Sequence, residues 1–302
     1  MIRGYVTAWN TGTVTQLPEP LEWELVRADK AERDSFFFTF PFPAQLRQTL
    51  SAAIRFQAKE NGTVLFTGVV DGYTVSLGAS GCVCKLYGRS TAALLMDNES
   101  PAAQYTSPTI QTIVQKYVTA NGVACMYDEP AAPGSFTVAL GDSAMKILSN
   151  YAAAVDALPC RVRADGVVRF TFARENSGVT LTQSDIISAK LLDRRRGVVS
   201  EFRLIEDDGY LPRYNSAFLD EGGQSRRYLK ECILSENHIV YETMRNRRLF
   251  RLLLPGTARL EPAANFTLRL PQFSFEGTLY VTSCRSFCSE DGLLCEITAA
   301  QY

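Results

Sequence analysis

The amino-acid sequence predicts a mainly β protein in which two related small antiparallel β-barrels flank an α+β segment. Three observations predict this class. Alternating apolar and polar residues occur near both ends of the chain, helical patterns are confined to the middle, and the order of strands near the start recurs near the end. With 302 residues, 46 % of them hydrophobic, the chain is long enough for two or three such units.

The first hundred residues carry a series of strand patterns. Residues 21–26 alternate apolar with charged side chains, as in a half-buried strand. The aromatic run 35–40 stops at Pro41, which cannot donate to a central ladder. Asn61-Gly62 favours a type I′ hairpin, because that turn needs positive φ at both central residues. The other strands predicted here cover residues 1–6, 54–58, 64–70 and 82–86.

The middle of the chain has two amphipathic helical patterns. The first begins at Ser107 as N-cap, with Pro108 at the first helical position, and stops at Asn121-Gly122. The second covers about 143–155. A hairpin across Asp165-Gly166 follows, so this segment is predicted to be α+β.

Two stretches, one near each end, share their order of features. Each has an apolar strand that stops at a proline, then a second strand, then a strand with a Phe-x-Gly motif, then a strand carrying a cysteine. The matching positions are Pro41 with Pro255, Phe56 with Leu268, Gly68 with Gly277, and Cys84 with Cys295. Identity is low, so chance similarity between two β-rich stretches is the alternative to a duplication.

The duplication predicts three units. The first barrel takes residues 1–98 and the α+β unit with its two helices takes 99–196. The second barrel takes 197–302 and contains an arginine-rich polar insertion at about 207–248.

Arginine is concentrated between residues 161 and 259, which carry 18 basic and 13 acidic side chains. Arginine suits protein interfaces, because its planar guanidinium pairs bidentately and is weakly hydrated. The interface or channel candidates are Arg194, Arg195, Arg196, Arg226, Arg227, Arg247 and Arg248. The alternative is a solvated face balanced by neighbouring acidic residues.

The sequence carries no motif typical of an enzyme. It has no phosphate-binding loop, no dinucleotide fingerprint and no nucleophile elbow. Its single histidine, His238, excludes paired-histidine metal sites. The cysteines at 82, 84 and 295 are predicted to be buried thiols of the sheets, since two of them alternate along one strand. We therefore predict no catalytic residue, no metal and no cofactor.

Charge and hydropathy limit what the chain is expected to bind and where it is expected to be located. There are 31 basic and 32 acidic side chains, so bulk electrostatic binding of nucleic acid is not expected. No apolar run reaches the length of a membrane span, and the first residues lack the apolar stretch of a signal peptide. We expect a protein assembled in the cytoplasm without membrane insertion.

The segment from 63 to 97 resembles a known family. Phe66-Thr67-Gly68 is followed by Gly88-Arg89-Ser90 and then by a short helical segment ending at Asp97. This pattern is similar to that of the late-control D-like hub proteins of phage contractile-tail baseplates. The later helices and the Pro255-Gly256 entry to the last strands follow in the family's order.

The resemblance implies a mechanical role. Such hubs are trimers, and two barrels per chain give six quasi-equivalent barrels around one axis, which join a six-fold tail tube to a three-fold spike. It implies as partners the tail tube protein, a separate central spike protein, the tape measure protein and other baseplate proteins. DNA passes through the channel only in transit, and the location is the virion's tail baseplate. A tail-associated cell-wall hydrolase and the hub of a non-contractile tail are the alternatives.

Four positions have structural interpretations within this picture. Gly68 and Gly277 suit close backbone approach at a barrel corner, and Gly88 suits a bend where a strand gives way to a helix. Arg89 is expected to anchor that corner by bonding carbonyl oxygens, with a solvated side chain as the alternative.

Overall fold

A computed structural model describes residues 1–79, 81–196, 198–206, 209–230, 244–245, 247–257, 260–289 and 292–301. The chain is mostly β-strand, with short helices concentrated in the middle.

The N-terminal part consists of strands and one short helix. The aromatic run 35–40 forms a strand that ends at Pro41. The predicted type I′ turn is confirmed, since Asn61 has φ 49° and Gly62 has φ 87°. The elements are β1 (Ile2–Ala8), β2 (Val14–Gln16), β3 (Glu22–Ala28), β4 (Ser35–Pro41), α1 (Leu46–Ala52), β5 (Ala53–Glu60), β6 (Thr63–Gly78) and β7 (Gly81–Ser90).

The middle part is α+β. Its elements are α2 (Ala93–Met96), β8 (Glu99–Ser100), β9 (Ala103–Thr106), α3 (Ile110–Ile113), β10 (Cys125–Tyr127), β11 (Ser135–Val138), β12 (Asp142–Ser143), α4 (Ala144–Ala154), β13 (Arg161–Val162) and β14 (Val168–Phe170). Its core packs Ile113, Leu148, Tyr151 and Phe170 between helices and small sheets.

Both predicted helices are present, but the first begins later than expected. Ser107 has φ 46°, so it cannot cap; Thr109 instead accepts a hydrogen bond from the backbone N–H of Thr112. The helix continues beyond α3 as π-helix and 3₁₀ turns to Gly122, whose φ of 72° ends it. Ser143 caps α4, so the second helix begins close to where the sequence predicts.

The C-terminal part is again mainly strand. Its elements are β15 (Asn176–Thr182), β16 (Ser188–Asp193), β17 (Glu201–Glu206), β18 (Gly209–Tyr214), α5 (Ser216–Asp220), β19 (Arg227–Lys230), β20 (Arg248–Pro255), β21 (Asn265–Leu270), β22 (Phe275–Ser289) and β23 (Gly292–Ala300). Strands β17, β18 and β19 form a separate three-stranded sheet, in which β18 and β19 lie within the arginine-rich insertion and β17 directly precedes it.

Strands from both ends of the chain join in one 13-stranded sheet, in the order β16-β20-β23-β22-β3-β4-β7-β6-β5-β1-β2 with β21 and β15 alongside β22. The described pairings do not close either half of this sheet into a barrel. We call β1 to β7 the N-terminal repeat, and β15, β16 and β20 to β23 the C-terminal repeat.

The two repeats pair their strands in the same order. In the N-terminal repeat the order is β4-β7-β6-β5, and in the C-terminal repeat it is β20-β23-β22-β21. The outer strands also correspond, because β3 flanks β4 as β16 flanks β20. One strand pairing differs: β1 runs antiparallel to β5, whereas β15 runs parallel to β21.

The registers agree with the matching seen in the sequence. Phe40 lies opposite Cys84, and Leu254 lies opposite Cys295. A duplication predicts this coincidence of register, because a one-residue slip would reverse every side chain between the two faces of the sheet.

The second matched pair of strands shows the same agreement. Phe56 lies opposite Gly68, and Leu268 lies opposite Gly277. Both β6 and β22 then carry a register shift a few residues further on.

Each repeat has its own apolar core. Phe38, Phe56 and Phe66 are almost fully buried in the N-terminal repeat, and the rings of Phe36 and Phe56 stack at 4.1 Å between centroids. Phe250, Phe266 and Ile297 are buried in the C-terminal core.

Candidate assembly interface

The corner where β6 crosses β7 requires two glycines. A Cβ on Gly68 would come closer than 3.0 Å to the carbonyl oxygen of Arg89, and one on Gly88 would do the same to that of Val69. Backbone atoms cannot move aside cheaply, so glycine is dictated by close approach at both positions. At the matching position in β22, Gly277 is less constrained, because its Cβ would lie 3.3 Å from a ring atom of Phe275.

Arg89 fixes the same corner, but through carboxylates instead of the expected carbonyl oxygens. Its Nε and Nη2 donate to the two oxygens of Asp71 at 2.7 and 2.8 Å. Its Nη1 and Nη2 donate to Asp97 at 3.0 and 2.7 Å. These hydrogen bonds raise the pKa of Arg89 and lower the pKa of Asp97. The strand β7, the bend in β6 and the end of α2 are therefore tied together.

The predicted arginine candidates come together on one side of the C-terminal part. The backbone N–H of Arg194 donates to the carbonyl oxygen of Arg247 at 2.7 Å. The Nη1 of Arg226 donates to the carbonyl oxygen of Arg195 at 2.7 Å. Residues 194–196 are thus held against two other parts of the cluster by hydrogen bonds.

Some of these arginines neutralise nearby carboxylates. Glu201, with 7 % of its side chain exposed, accepts from the Nε atoms of Arg203 and Arg227, both at 2.7 Å. These hydrogen bonds lower the pKa of Glu201.

A second carboxylate, that of Glu221, bonds to two arginines at the start of β20. Glu221 pairs with Arg247 and also accepts from Arg248 at 3.2 Å, which lowers the pKa of Glu221. Arg247 is buried, with its guanidinium 5.2 Å from the ring centroid of Phe218. Arg248 is half-exposed and lies 3.4 Å from Asp193.

The remaining three candidates differ from this internally paired set. Arg194, Arg195 and Arg196 are exposed, and none forms a side-chain ion pair within the described ranges of the chain. Like Arg226, which donates to the neutral oxygens of Arg195 and Gln224, they carry a charge that no carboxylate of the described residues pairs with.

The boundary between the two repeats is a strand pairing reinforced by ion pairs. There β3 pairs with β22, so that Leu25 lies opposite Ser286 and both are buried. Arg285 pairs with Glu24 at 2.5 Å, and Arg27 pairs with Glu261. We call this pairing the internal junction.

A buried ion pair reinforces the internal junction. Arg245 Nη2 lies 2.5 Å from Asp29 Oδ1, with 3 % and 1 % of the two side chains exposed. Burial raises the pKa of Asp29 despite this partner. Arg27 and Asp29 were not anticipated, although Arg27 follows Trp23 and Leu25 at every second position and so falls on the inward face of β3.

Among the residues that the structure describes, no group of histidine, cysteine and acidic side chains could hold a metal ion. Cys84 and Cys295 are buried free thiols of the sheets, as predicted, and burial raises the pKa of each to about 11. His238 lies outside the described residues.

One cleft brings acidic side chains together and bears on the hydrolase alternative. It is lined by Glu175, Glu261 and Asp165, beside Arg161. Glu175 is bonded to the buried Arg161 at 3.1 Å, and Glu261 pairs with Arg27. Each of these two carboxylates is bonded to an arginine, whereas glycosidase chemistry needs a pair directed at a substrate.

No helix in the described part of the chain is both long and apolar enough to cross a bilayer.

No protein-family model matches the chain, and no curated protein matches its sequence. Solved structures do match. The 43 kDa tail protein of prophage MuSo2 from Shewanella oneidensis superposes with a TM-score of 0.81 at 15 % identity, covering 99 % of this chain and 98 % of that one. A tail protein from Neisseria meningitidis MC58 gives 0.76 at 14 % identity, with 99 % and 96 % covered.

A third match comes from a secretion apparatus. The c3393 protein of E. coli, a type VI secretion system component described as structurally similar to the T4 bacteriophage tail proteins gp27 and gp5, gives a TM-score of 0.62 at 14 % identity. It covers 94 % of this chain and 74 % of that one. At these identities the likeness concerns the fold, and the chain has the fold of phage tail proteins.

Proposed function

We propose that the chain is a structural baseplate hub of a phage tail or a related contractile injection system. Three copies would form a ring with pseudo-six-fold symmetry that joins the tail tube to the central spike. The ring would surround the channel through which tape measure protein and then DNA pass. The protein would act without catalysis, in the virion, after assembly in the host cytoplasm.

The observation that carries this proposal is the internal duplication. Two repeats with the same strand order and the same register within one chain offer two similar surfaces per copy. A three-fold ring of such chains presents six similar surfaces, so it can meet a six-fold partner on one side and a three-fold partner on the other. The fold shared with phage tail proteins supports the same role.

The arginine cluster fits a place at an interface of this ring. Arg194, Arg195 and Arg196 are exposed, while their neighbours Arg227, Arg247 and Arg248 are paired within the chain. We propose that the exposed three meet an acidic surface on another subunit or a partner protein, or line the channel. Reversing their charge with glutamate should impair trimerisation, tube docking or particle assembly; unchanged behaviour in all three would overturn this part.

Deleting the coding sequence from the producing genome tests the main proposal. Particles should then lack a joined tube and spike, and a plasmid copy should restore them. A cryo-EM map of the intact particle should locate three copies between tube and spike. Normal particles without the chain would overturn the hub role.

Incubation with purified peptidoglycan separates this role from the cell-wall hydrolase alternative. We expect no release of soluble fragments, because the acidic side chains Glu175 and Glu261 are engaged by arginines. Release that is abolished by Glu175→Gln would favour the hydrolase.

A further inference from the structure

The internal junction depends on one strand with two partners. Residues 283–288 of β22 have β23 along one edge and β3 along the other. Strand β3 in turn pairs with β4 on its far edge. Thus β3 belongs to the N-terminal repeat but completes the sheet of the C-terminal repeat.

The matching part of the N-terminal repeat has only one neighbour. Residues 71–78 of β6 pair with β7, while β5 leaves the other edge of β6 after Val69. Within the described residues no strand bonds to that edge beyond Val69. Val75 and Leu77 on it are 40 % and 83 % exposed. We call residues 71–78 the open edge of β6.

The strand that corresponds to β3 also has a free edge. Strand β16 flanks β20 as β3 flanks β4, and in the described part of the chain β20 is its only sheet partner. Leu191 on β16 is 39 % exposed, and Ile187 just before the strand is 55 % exposed. Unpaired strand edges that expose apolar side chains are templates for adding another strand.

We propose that β16 of one copy pairs antiparallel with the open edge of β6 in the next copy. This pairing repeats between chains the junction that β3 and β22 make within a chain. Each copy supplies one of each edge, so successive copies join head to tail and every β16 edge meets an open edge of β6 around the ring. The inference rests on the hub proposal only for the number of copies, three.

The duplication also gives the register. Leu191 corresponds to Leu25, because they lie opposite Phe250 and Phe36 at matching places in β20 and β4. On the other strand, Val75 lies opposite Cys84 as Ser286 lies opposite Cys295.

Since Leu25 and Ser286 face each other in the internal junction, Leu191 should face Val75 between copies. Leu25 is only 3 % exposed there, so the same burial is expected for Leu191 on assembly.

Two single substitutions and their combination test this register. Val75→Lys and Leu191→Glu each place a charge opposite an apolar side chain, which should weaken self-association of the full-length chain by about tenfold or more. The double variant places lysine opposite glutamate and should recover much of the loss. Val14→Lys, on the exposed strand β2 at another end of the sheet, is the matched control and should change nothing.

Sedimentation equilibrium of the purified chain over a range of concentrations measures the association, and circular dichroism checks that each variant folds. A second measurement is independent of affinity: the paired variant Val75→Cys with Leu191→Cys should give disulfide-linked dimers and trimers under oxidation, and neither single cysteine variant should.

The outcomes separate this inference from the hub role. A trimer that both charged variants leave intact, or a wild-type chain that stays monomeric at every concentration, overturns the edge pairing and leaves the hub role to the deletion experiment. Weakening by both single variants with recovery in the double supports the pairing even if particles assemble without the chain.

Discussion

Residues 283–288 of β22 and residues 71–78 of β6 hold the same place in the two repeats, but within the described parts of the chain only the first have a strand on both sides. The covered strand carries Ser286 and Cys284, both buried, whereas the uncovered one carries exposed Val75 and Leu77. Among the described residues, the duplicated fold therefore pairs one of its two equivalent strand edges inside the chain and leaves the other without a strand partner.

The charges beside these edges also differ between the repeats. In the N-terminal repeat Arg27 stands on β3 near Asp34, and at the matching positions of the C-terminal repeat Asp193 stands on β16 beside Arg248. The basic and the acidic residue are thus exchanged between the two repeats. The pair is also buried in the first repeat and half-exposed in the second, as expected if only the first already lies within a completed junction.

Truncating the matching leucines should give the largest contrast. Leu25→Ala should cost about 2–5 kcal/mol of unfolding free energy, because it opens a cavity in a closed junction. Leu191→Ala should cost the isolated chain less than about 0.5 kcal/mol, since the side chain is already exposed. Urea unfolding of both variants at low protein concentration measures the difference, and equal costs would remove the distinction between the edges.

Removing the ionisable carboxyl group of Asp34 should flatten the dependence of stability on pH. An aspartate in the unfolded chain ionises near pH 4, whereas burial raises the pKa of Asp34 to about 8. Between these values the folded chain keeps a proton that the unfolded chain has lost. Stability therefore falls as pH rises, by up to about 1.4 kcal/mol per pH unit from this group.

Asp34→Asn keeps an acceptor for the backbone N–H of Ala28, which Asp34 Oδ1 binds at 2.8 Å. The variant should lose less stability than the wild type between pH 4 and pH 8, as measured by denaturant unfolding at several pH values. Parallel curves for the two proteins would contradict the raised pKa.

The matched glycines should respond unequally to an added methyl group. Gly68→Ala should cost about 1–3 kcal/mol, because its Cβ meets the backbone carbonyl of Arg89. Gly277→Ala should cost less than about 1 kcal/mol, since the neighbouring ring of Phe275 can shift. Thermal unfolding of the two variants compares them directly, and a larger loss for Gly277→Ala would refute the difference in crowding.

Replacing Arg89 should have a small effect. Arg89→Met removes two carboxylate pairs on a partly exposed corner, so we expect a loss of about 1 kcal/mol. Adding 1 M salt should lower the stability of the wild type towards that of the variant, because salt screens these pairs. A loss that does not depend on salt would mean that the packing of the side chain matters more than its charge.

Much of the fold could be predicted from local patterns. The alternation around Trp23, the turn at Asn61-Gly62 and the start of the second helix near residue 143 each depend on neighbours in sequence, and each is confirmed. The matching of Pro41 with Pro255 and of Cys84 with Cys295 even gave the correct register, because each marks a strand end or an inward position.

Long-range pairings could not be predicted in this way. Strand β3 bonds to β22 across more than two hundred residues, and no feature of residues 22–28 points to that partner. Asp29 and Arg245 are single charges whose pairing depends on where the sheet brings them. Arg89 was recognised as an anchor, but its acceptors depend on the bend at Asp71 and the end of α2.

The internal junction has a consequence for how such particles form. In the proposed ring, linking two repeats in one polypeptide would make every second contact intramolecular, with a local concentration set by the chain itself. Six repeats would then assemble from three bodies, so assembly would lose the translational and rotational freedom of three particles instead of six. Low copy number in the cell would be a smaller obstacle to completing such a ring.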